Sequence, residues 1–168
     1  MGDHRQIKLC AMNRARTLPM RGALMLAALM LAACAPRSTT ADFSACPATR
    51  PAMDVTDRFM AAFNSKNMGQ LEATFHFPHI RIASYPLSVL TGPGQQDDVF
   101  GSLAAEGWSR SDWADRRIIQ CSAAKAHMLA TFVRYHANGE AYARYEGLYI
   151  IELRDGFWGI TARSTFAP

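Results

Sequence analysis

The sequence predicts a single α+β domain in which helices come first and an antiparallel sheet follows. Residues 125–166 contain three apolar runs joined by Asn138-Gly139 and Asp155-Gly156. These dipeptides suit two-residue hairpin loops because both positions favour a positive φ. Upstream, apolar side chains in residues 55–63 recur at helical spacing. A chain of 168 residues also has the size of one domain.

The beginning of the chain predicts export and a lipid anchor. A basic lead precedes an apolar run at residues 22–33, which is too short to span a bilayer and is typical of a secretory signal. The run ends in Leu31-Ala32-Ala33-Cys34, which resembles a bacterial lipobox. This resemblance implies cleavage before Cys34 and lipidation of its thiol, so we predict a lipoprotein signal peptide over residues 1–33. The alternatives are an ordinary signal peptide with an incidental cysteine, or a buried helix.

The residue after Cys34 indicates which membrane the predicted lipoprotein reaches. Ala35 stands there rather than Asp, and by resemblance to Gram-negative lipoproteins this favours the periplasmic face of the outer membrane. Residues 34–50 are rich in Pro, Ser, Thr and Ala, a composition that predicts a flexible tether. We therefore expect the folded domain to occupy residues 51–168.

The charge balance argues against nucleic acid as a partner. The chain has 18 Lys and Arg against 14 Asp and Glu, but residues 1–33 hold five of the basic and one of the acidic residues. The remainder therefore carries 13 of each. A basic patch is the usual electrostatic sign of nucleic-acid binding, and the predicted mature chain has no excess of positive charge.

Two cysteines, Cys46 and Cys121, remain beyond the signal and the lipobox. An oxidising periplasm would allow them to pair, and the sequence leaves that pairing open. No CxxC spacing is present, so a metal or thioredoxin-type site has no support. We expect no metal ion and no cofactor.

Within the domain the pattern predicts three helices and four strands. The first helix is capped by Asp54 or Thr56 and is broken at residues 67–69. A short second helix, an extended segment at residues 75–86 and a third helix near residues 95–106 follow. A strand at residues 113–121 then leads into the three-stranded meander. Pro78 places the extended segment at an edge or a bend.

The two hairpin turns also predict which side chains share a face. A two-residue turn at Asn138-Gly139 pairs Met128 with Tyr149, and one at Asp155-Gly156 pairs Tyr149 with Ala162. Since side chains alternate along a strand, one face is predicted to line a pocket with Met128, Ala130, Phe132, Arg134, Tyr145, Gly147, Tyr149, Trp158, Ala162 and Ser164. The small residues in its middle predict either close helix packing or a ligand cavity. Arg163 falls on the opposite face.

The order of elements resembles the nuclear transport factor 2-like superfamily, which includes SnoaL-like polyketide cyclases, ketosteroid isomerases and scytalone dehydratase. The resemblance covers residues 51–167 and is carried by the helix at 58–64, the segment His76-Phe77-Pro78-His79-Ile80-Arg81 and residues 149–164. It implies a cone-shaped, cystatin-like fold, with a curved antiparallel sheet, three covering helices and a pocket at the open end. It also implies a homodimer through the outer sheet face, where the aliphatic residues are Leu129, Leu148 and Ile150.

Three functions stay open on these grounds. The first is a lipid-anchored, periplasm-facing protein that binds a small apolar or anionic ligand, with Arg81 and Arg134 among the polar groups of its pocket. The second is a cofactor-free isomerase, cyclase or dehydratase that uses His79 with Tyr145 or Tyr149. The predicted concave face carries no Asp or Glu, which counts against an isomerase. The third is a structural or partner-binding module with a filled cone.

Overall fold

The computed structural model describes residues 41–83, 87–96 and 98–167. The predicted signal peptide and the lipidation site at Cys34 lie outside these ranges. A compact unit begins at Ala41. No helix among the described residues is both long enough and apolar enough to cross a membrane.

The described chain forms the three helices that the sequence predicts: α1 (Thr49–Asn64), α2 (Met68–Glu72) and α3 (Val99–Ala105). The predicted break at residues 67–69 is the point where α2 begins, and the Asn67 side chain caps it by accepting the Gln70 N–H at 3.0 Å. Ala48 is fully buried and α1 begins at Thr49. The folded part therefore starts before residue 51, inside the segment predicted as a tether.

The described residues form a sheet of six strands, which lie in the order β2-β1-β6-β5-β4-β3. Their bounds are β1 (Phe75–Ile82), β2 (Leu87–Leu90), β3 (Arg110–Cys121), β4 (Lys125–Tyr135), β5 (Ala141–Arg154) and β6 (Phe157–Thr165). β1 runs parallel to β6, whereas the other neighbours are antiparallel. The α+β class is confirmed, and the four predicted strands, β3 to β6, pair antiparallel. The expectation of a four-stranded, wholly antiparallel sheet is wrong, because β1 and β2 extend the sheet and β1 pairs parallel with β6. The segment predicted as one extended stretch supplies β1, which docks beside β6.

The hairpin between β4 and β5 has the predicted register with a different turn. Met128 pairs with Tyr149 and Phe132 with Tyr145, as predicted. Only Gly139 of the Asn138-Gly139 pair has a positive φ, at 85°, and the register shifts beside Tyr135. The loop is therefore longer than two residues and ends on a left-handed glycine. The second turn is the predicted two-residue type, since both Asp155 and Gly156 have positive φ.

A β-bulge reverses the faces of the last strand. Ile151 pairs with Ile160, but Ile150 pairs with Ala162, so Thr161 is an extra residue on β6. A slip of one residue exchanges the two faces of a strand. Tyr149 therefore pairs with Arg163 instead of Ala162. The predicted pocket-side positions of Ala162 and Ser164 are wrong, and Arg163 lies on the side that faces the helices.

The core lies between α1 and the concave side of the sheet. Phe59 of α1 lies against Phe75, Trp113 and Tyr149, with ring centroids 6.1 to 6.3 Å apart. Met128 and Ala130 are fully buried in the same cluster. Cys46 and Cys121 form a disulfide, which settles the pairing that the sequence left open and joins the segment before α1 to the end of β3.

Candidate functional site

Two adjacent cavities lie on the concave side of the sheet. The inner cavity has a volume of about 50 Å³, and the outer cavity has a volume of about 550 Å³. Both are lined by Arg81, Gln96, Val99 and Arg134. The rest of the inner cavity is formed by Phe59, Met60, Phe63, Ser111, Trp113, Phe132, Tyr149, Arg163, Thr165 and Ala167. Its wall is therefore aromatic and aliphatic with a few polar groups, and none of its described residues is acidic.

Arg163 is a buried cation on the wall of the inner cavity. Only 8% of the residue is exposed, and its guanidinium lies 5.2 Å from the ring centre of Phe59 and 5.3 Å from that of Phe75. Burial lowers the pKa of Arg163 to about 10, so the side chain stays charged at neutral pH. Among the residues that the structure describes, no carboxylate lies within ion-pair distance of it. Buried charges are normally paired.

His79 holds this arginine in place. The Nε–H of Arg163 donates to His79 Nε2 at 3.3 Å, since a guanidinium has no acceptor. The other ring nitrogen, Nδ1, must then carry the proton, which it donates to the Ile160 carbonyl at 2.9 Å. Burial first, and then the charge of Arg163, lower the pKa of His79 to about 3. His79 is therefore a neutral imidazole with both nitrogens in use.

Two more arginines reach the inner cavity. Arg81 pairs with Arg163 across the parallel β1 and β6, and its charge contributes to the lowered pKa of Arg163. Arg134 is 4% exposed, donates to Glu106 at 3.2 Å and stacks over Tyr145 at 4.9 Å. Its Nε finds no hydrogen-bond partner within the described chain. The charged residues among the described lining of the inner cavity are therefore three arginines, Arg81, Arg134 and Arg163.

A loop brings one further donor to the same place. The loop at residues 91–96 is fixed to α2 because the Gly94 N–H donates to the buried Glu72 carboxylate at 2.8 Å. It is fixed within itself because Gln95 accepts the Thr91 N–H at 2.7 Å. The next residue, Gln96, lines both cavities. Its buried Nε2 has no hydrogen-bond partner in the part of the chain that is described.

The opposite wall is built on contacts between α1 and β3. The Asn64 side chain, at the end of α1, accepts the Ser111 N–H and donates to the Ser111 carbonyl, both at 2.8 Å. The Ser111 hydroxyl in turn accepts from Trp108 at 2.9 Å. Trp113 donates from its indole nitrogen to the Thr56 carbonyl at 3.3 Å. The polar groups on this wall are therefore engaged in holding the helix, which leaves its aromatic rings as the contact surface.

The structure places the sequence-predicted pocket residues in different environments. Phe132, Arg134, Tyr149 and Arg81 line the inner cavity. Tyr145 packs against Phe132 beside it. The others do not reach the cavity: Met128, Ala130 and Gly147 are buried elsewhere on the concave side, Trp158 packs against the core, and Ala162 and Ser164 lie on the opposite face.

The residues that the sequence proposes as catalytic also lie in different environments. His79 is fully buried and lines neither cavity. Tyr149 does line the inner cavity, and burial raises the pKa of its hydroxyl to about 12, so the phenol keeps its proton. The described residues contain no group of three His, Cys, Asp or Glu side chains that could hold a metal ion.

Sequence reasoning missed Arg163 and Thr165, because the bulge that turns them inward leaves no glycine or proline at Thr161 to indicate it. It also missed Gln96, a polar residue in a loop. The aromatic residues of α1 were predicted as core, and their spacing gave no indication that they border a cavity.

Comparison with solved structures shows the same fold at low identity. An NTF2-like protein with a cystatin-like fold from Novosphingobium aromaticivorans is 9% identical with a TM-score of 0.58, covering 70% of this chain and 80% of that chain. A ketosteroid isomerase-like protein from Erwinia carotovora atroseptica is 16% identical with a TM-score of 0.53, covering 71% and 95%. The hexachlorocyclohexane dehydrochlorinase LinA-type3 from Novosphingobium barchaimii is 13% identical with a TM-score of 0.55, covering 69% and 83%. The predicted cystatin-like fold is thereby confirmed.

No curated protein matches the sequence. A family described as NTF2-like protein (DUF6841) matches residues 52–166, which is most of the folded part. The superfamily resemblance predicted from the sequence is confirmed by this match, and the chain belongs to the NTF2-like family DUF6841.

Proposed function

We propose that this protein binds a small organic ligand in the two adjacent cavities and performs no chemistry on it. One observation carries the proposal: the inner cavity joins apolar walls to hydrogen-bond donors, with no acidic side chain among its described lining residues. Ligand sites have this composition, in which a few polar groups orient a molecule that is otherwise held by apolar contact. Arg81, Gln96, Val99 and Arg134 line both cavities, so a ligand could occupy the two together.

The geometry supports binding over catalysis. A general base needs a lone pair within reach of its substrate, and both nitrogens of His79 are already bonded inside the protein. Two described carboxylates line the outer cavity: that of Glu106 is paired with Arg134, and that of Asp98 accepts the Gly101 N–H at the start of α3 at 2.9 Å. A filled cone, the third function that the sequence left open, would lack the room that these cavities provide.

The location proposed from the sequence is the cell envelope, with a lipid anchor at Cys34 and the domain on the periplasmic side. Two observations support it. The Leu31-Ala32-Ala33-Cys34 box resembles a lipoprotein signal. The Cys46–Cys121 disulfide fits an oxidising compartment, because cytosolic thiols are kept reduced.

We also propose that two copies associate through the outer sheet face. Leu129 lies opposite Leu148 on this face, with Ile150 beside them. The bulge brings Ala162 next to Ile150 on the same side, which extends the aliphatic surface. All four side chains are partly accessible.

The binding proposal can be tested by blocking the cavity. Val99 of α3 lines both cavities, so Val99→Trp should fill ligand space. Ala104 lies on the same helix, is exposed and lines neither cavity, so Ala104→Trp is the matched control. The full chain in detergent would be heated with a panel of small alcohols, esters and acids, because a bound ligand raises the melting temperature.

We expect at least one compound to stabilise the wild type and Ala104→Trp but not Val99→Trp, with unchanged circular dichroism in all three. Stabilisation that survives in Val99→Trp would contradict the proposal.

A further inference from the structure

We infer that the ligand is a carboxylic acid with an apolar body, whose carboxylate is bound by Arg163 in the inner cavity. The inference rests on the binding function proposed above and names its ligand class. The apolar body would lie along the aromatic wall and extend into the outer cavity.

The charge of Arg163 has no counter-ion among the described residues. Arg163 is more than nine-tenths buried, and within the described chain its one hydrogen bond goes to a neutral imidazole. Removing a cation from water without a counter-ion is costly. An anion at this place would pair with Arg163.

The bond to His79 orients the guanidinium of Arg163. His79 accepts from the Nε of Arg163, which leaves the two terminal nitrogens as the remaining donors. Planar pairs of donors match the two oxygens of a carboxylate in a bidentate contact. His79 donates its one proton to the Ile160 carbonyl, so it acts as a positioning residue for this edge of the arginine.

Gln96 supplies an unsatisfied donor at the same cavity. Its Nε2 is buried and has no hydrogen-bond partner in the described chain, and Gln96 lines the inner cavity. Buried donors left without a partner are rare. An amide nitrogen can only donate, so it needs an acceptor such as a carboxylate oxygen.

The size and lining of the inner cavity favour a carboxylate over a phosphate. The inner cavity of about 50 Å³ has room for only a few water-sized groups. Its remaining lining is dominated by Phe59, Phe63, Trp113 and Phe132. A strongly hydrated dianion would lose much of its solvation against these rings, whereas a carboxylate at the end of an apolar chain would bury that chain.

The test compares acids with their uncharged counterparts on the full chain in detergent. The probes are hexanoic, decanoic and 3-phenylpropanoic acids, their methyl esters, the corresponding alcohols, and inorganic phosphate. Binding is measured by the fluorescence change of Trp113 and its neighbours and by calorimetry at pH 7. We expect at least one acid to bind about 10- to 100-fold more tightly than its ester and alcohol, as a charge-assisted contact implies. Phosphate should not compete.

The variant Arg163→Met keeps an unbranched side chain of similar apolar stem and removes the guanidinium with its charge. It should abolish the preference for acids while the esters bind as before. Arg144→Met is the matched control, because Arg144 is exposed and pairs with Val133 on the outer face; it should behave as wild type. If Arg163→Met does not fold, Arg163→Lys tests the same point, since one amine keeps the charge but loses the bidentate contact and should bind acids more weakly.

The outcomes separate the two claims. Equal binding of acids and esters by the wild type, or an acid preference that persists in Arg163→Met, would overturn the carboxylate inference and leave the binding function standing. Competition by phosphate would assign the site to inorganic anions and overturn the inference as well. If no compound of the series binds the wild type, the inference and the binding function both fail.

Discussion

Arg163 and His79 share one hydrogen bond at 3.3 Å, and this bond fixes which of the two donates and where the histidine carries its proton. The arginine must donate, so the histidine must accept at Nε2 and carry its proton on Nδ1. A second proton on His79 would go to Nε2. It would break the hydrogen bond from Arg163 and place two positive charges side by side. The pair therefore couples the protonation of a buried imidazole to the placement of the charge in the cavity.

The first prediction concerns acid stability. The pKa of His79 is about 3 in the fold, against an ordinary value of 6.5. Between these values the unfolded chain binds a proton that the native chain does not. The free energy of unfolding should therefore fall as the pH drops from about 6.5 toward 3, by on the order of 1.4 kcal/mol per pH unit. Above pH 7 this contribution to the pH dependence vanishes.

His79→Gln can still donate to Ile160 and accept from Arg163, but it does not titrate. Urea denaturation between pH 7 and 5 should show a shallower loss of stability in this variant than in the wild type. His127→Gln, at a more accessible position on the outer face, should keep the wild-type slope. Identical slopes in His79→Gln and wild type would show that His79 is not the titrating group.

The second prediction concerns Gly147, which the sequence placed at the floor of the pocket. A Cβ atom there would lie 2.9 Å from the Thr165 methyl group and 3.0 Å from the Ser164 carbonyl oxygen. Gly147→Leu should therefore overpack the core and cost roughly 1–3 kcal/mol. Gly92→Leu is the control, since a Cβ atom there meets nothing within 4 Å. Thermal denaturation would decide, and equal melting temperatures would mean that this part of the core has room to spare.

The third prediction concerns the disulfide. Cys46 and Cys121 are 75 residues apart in sequence, and closing a loop of that length stabilises a fold by about 2–5 kcal/mol, chiefly by restricting the unfolded chain. Cys46→Ser combined with Cys121→Ser should lower the urea midpoint by a corresponding amount. Wild-type protein treated with a reductant should match the variant. A reductant that leaves the wild-type midpoint unchanged would argue that the bond adds no stability.

The fourth prediction concerns the anchor. Cys34→Ser removes the thiol that would take the lipid, so the protein should move from the membrane fraction to the soluble periplasmic fraction. Cys10→Ser is the matched control, because Cys10 lies upstream of the predicted cleavage point, and it should leave the distribution unchanged. Membrane residence of Cys34→Ser would rule the lipobox out.

The fifth prediction concerns association. Leu148→Glu places a charge in the centre of the aliphatic outer face and should convert a dimer to monomers in sedimentation experiments. Arg144→Glu alters charge on the same strand and face at an exposed position and should leave the dimer intact. A wild type that already sediments as a monomer would end the proposal.

The register of β4 and β5 was predicted from a two-residue turn at Asn138-Gly139. The prediction is correct along the strands because the longer loop and the register shift beside Tyr135 offset each other. The sequence did not predict β6 beyond Ile160. The bulge there rests on a single extra residue, Thr161, whose hydroxyl donates to Glu152 at 2.7 Å. Because this contact joins two strands, no short stretch of sequence predicts it.

The bulge in β6 also explains why only part of the candidate site was predicted. Phe132, Arg134 and Tyr149 lie before the bulge, and their faces were predicted from the hairpin turns. The small residues that suggested a void do not border one, because the bulge turns Thr165 inward over Gly147. The parallel pairing of β1 with β6, which sets Arg81 beside Arg163, joins segments about 80 residues apart in sequence. No short-range pattern reports it.

The Cys46–Cys121 bond closes a covalent ring that contains all three helices and the strands β1, β2 and β3. A protease that cuts once inside this ring, for example in the loop at residues 91–96, opens the ring but releases no fragment. The nicked chain stays one molecule, and the two pieces separate only after the sulfur–sulfur bond is reduced and the fold is undone.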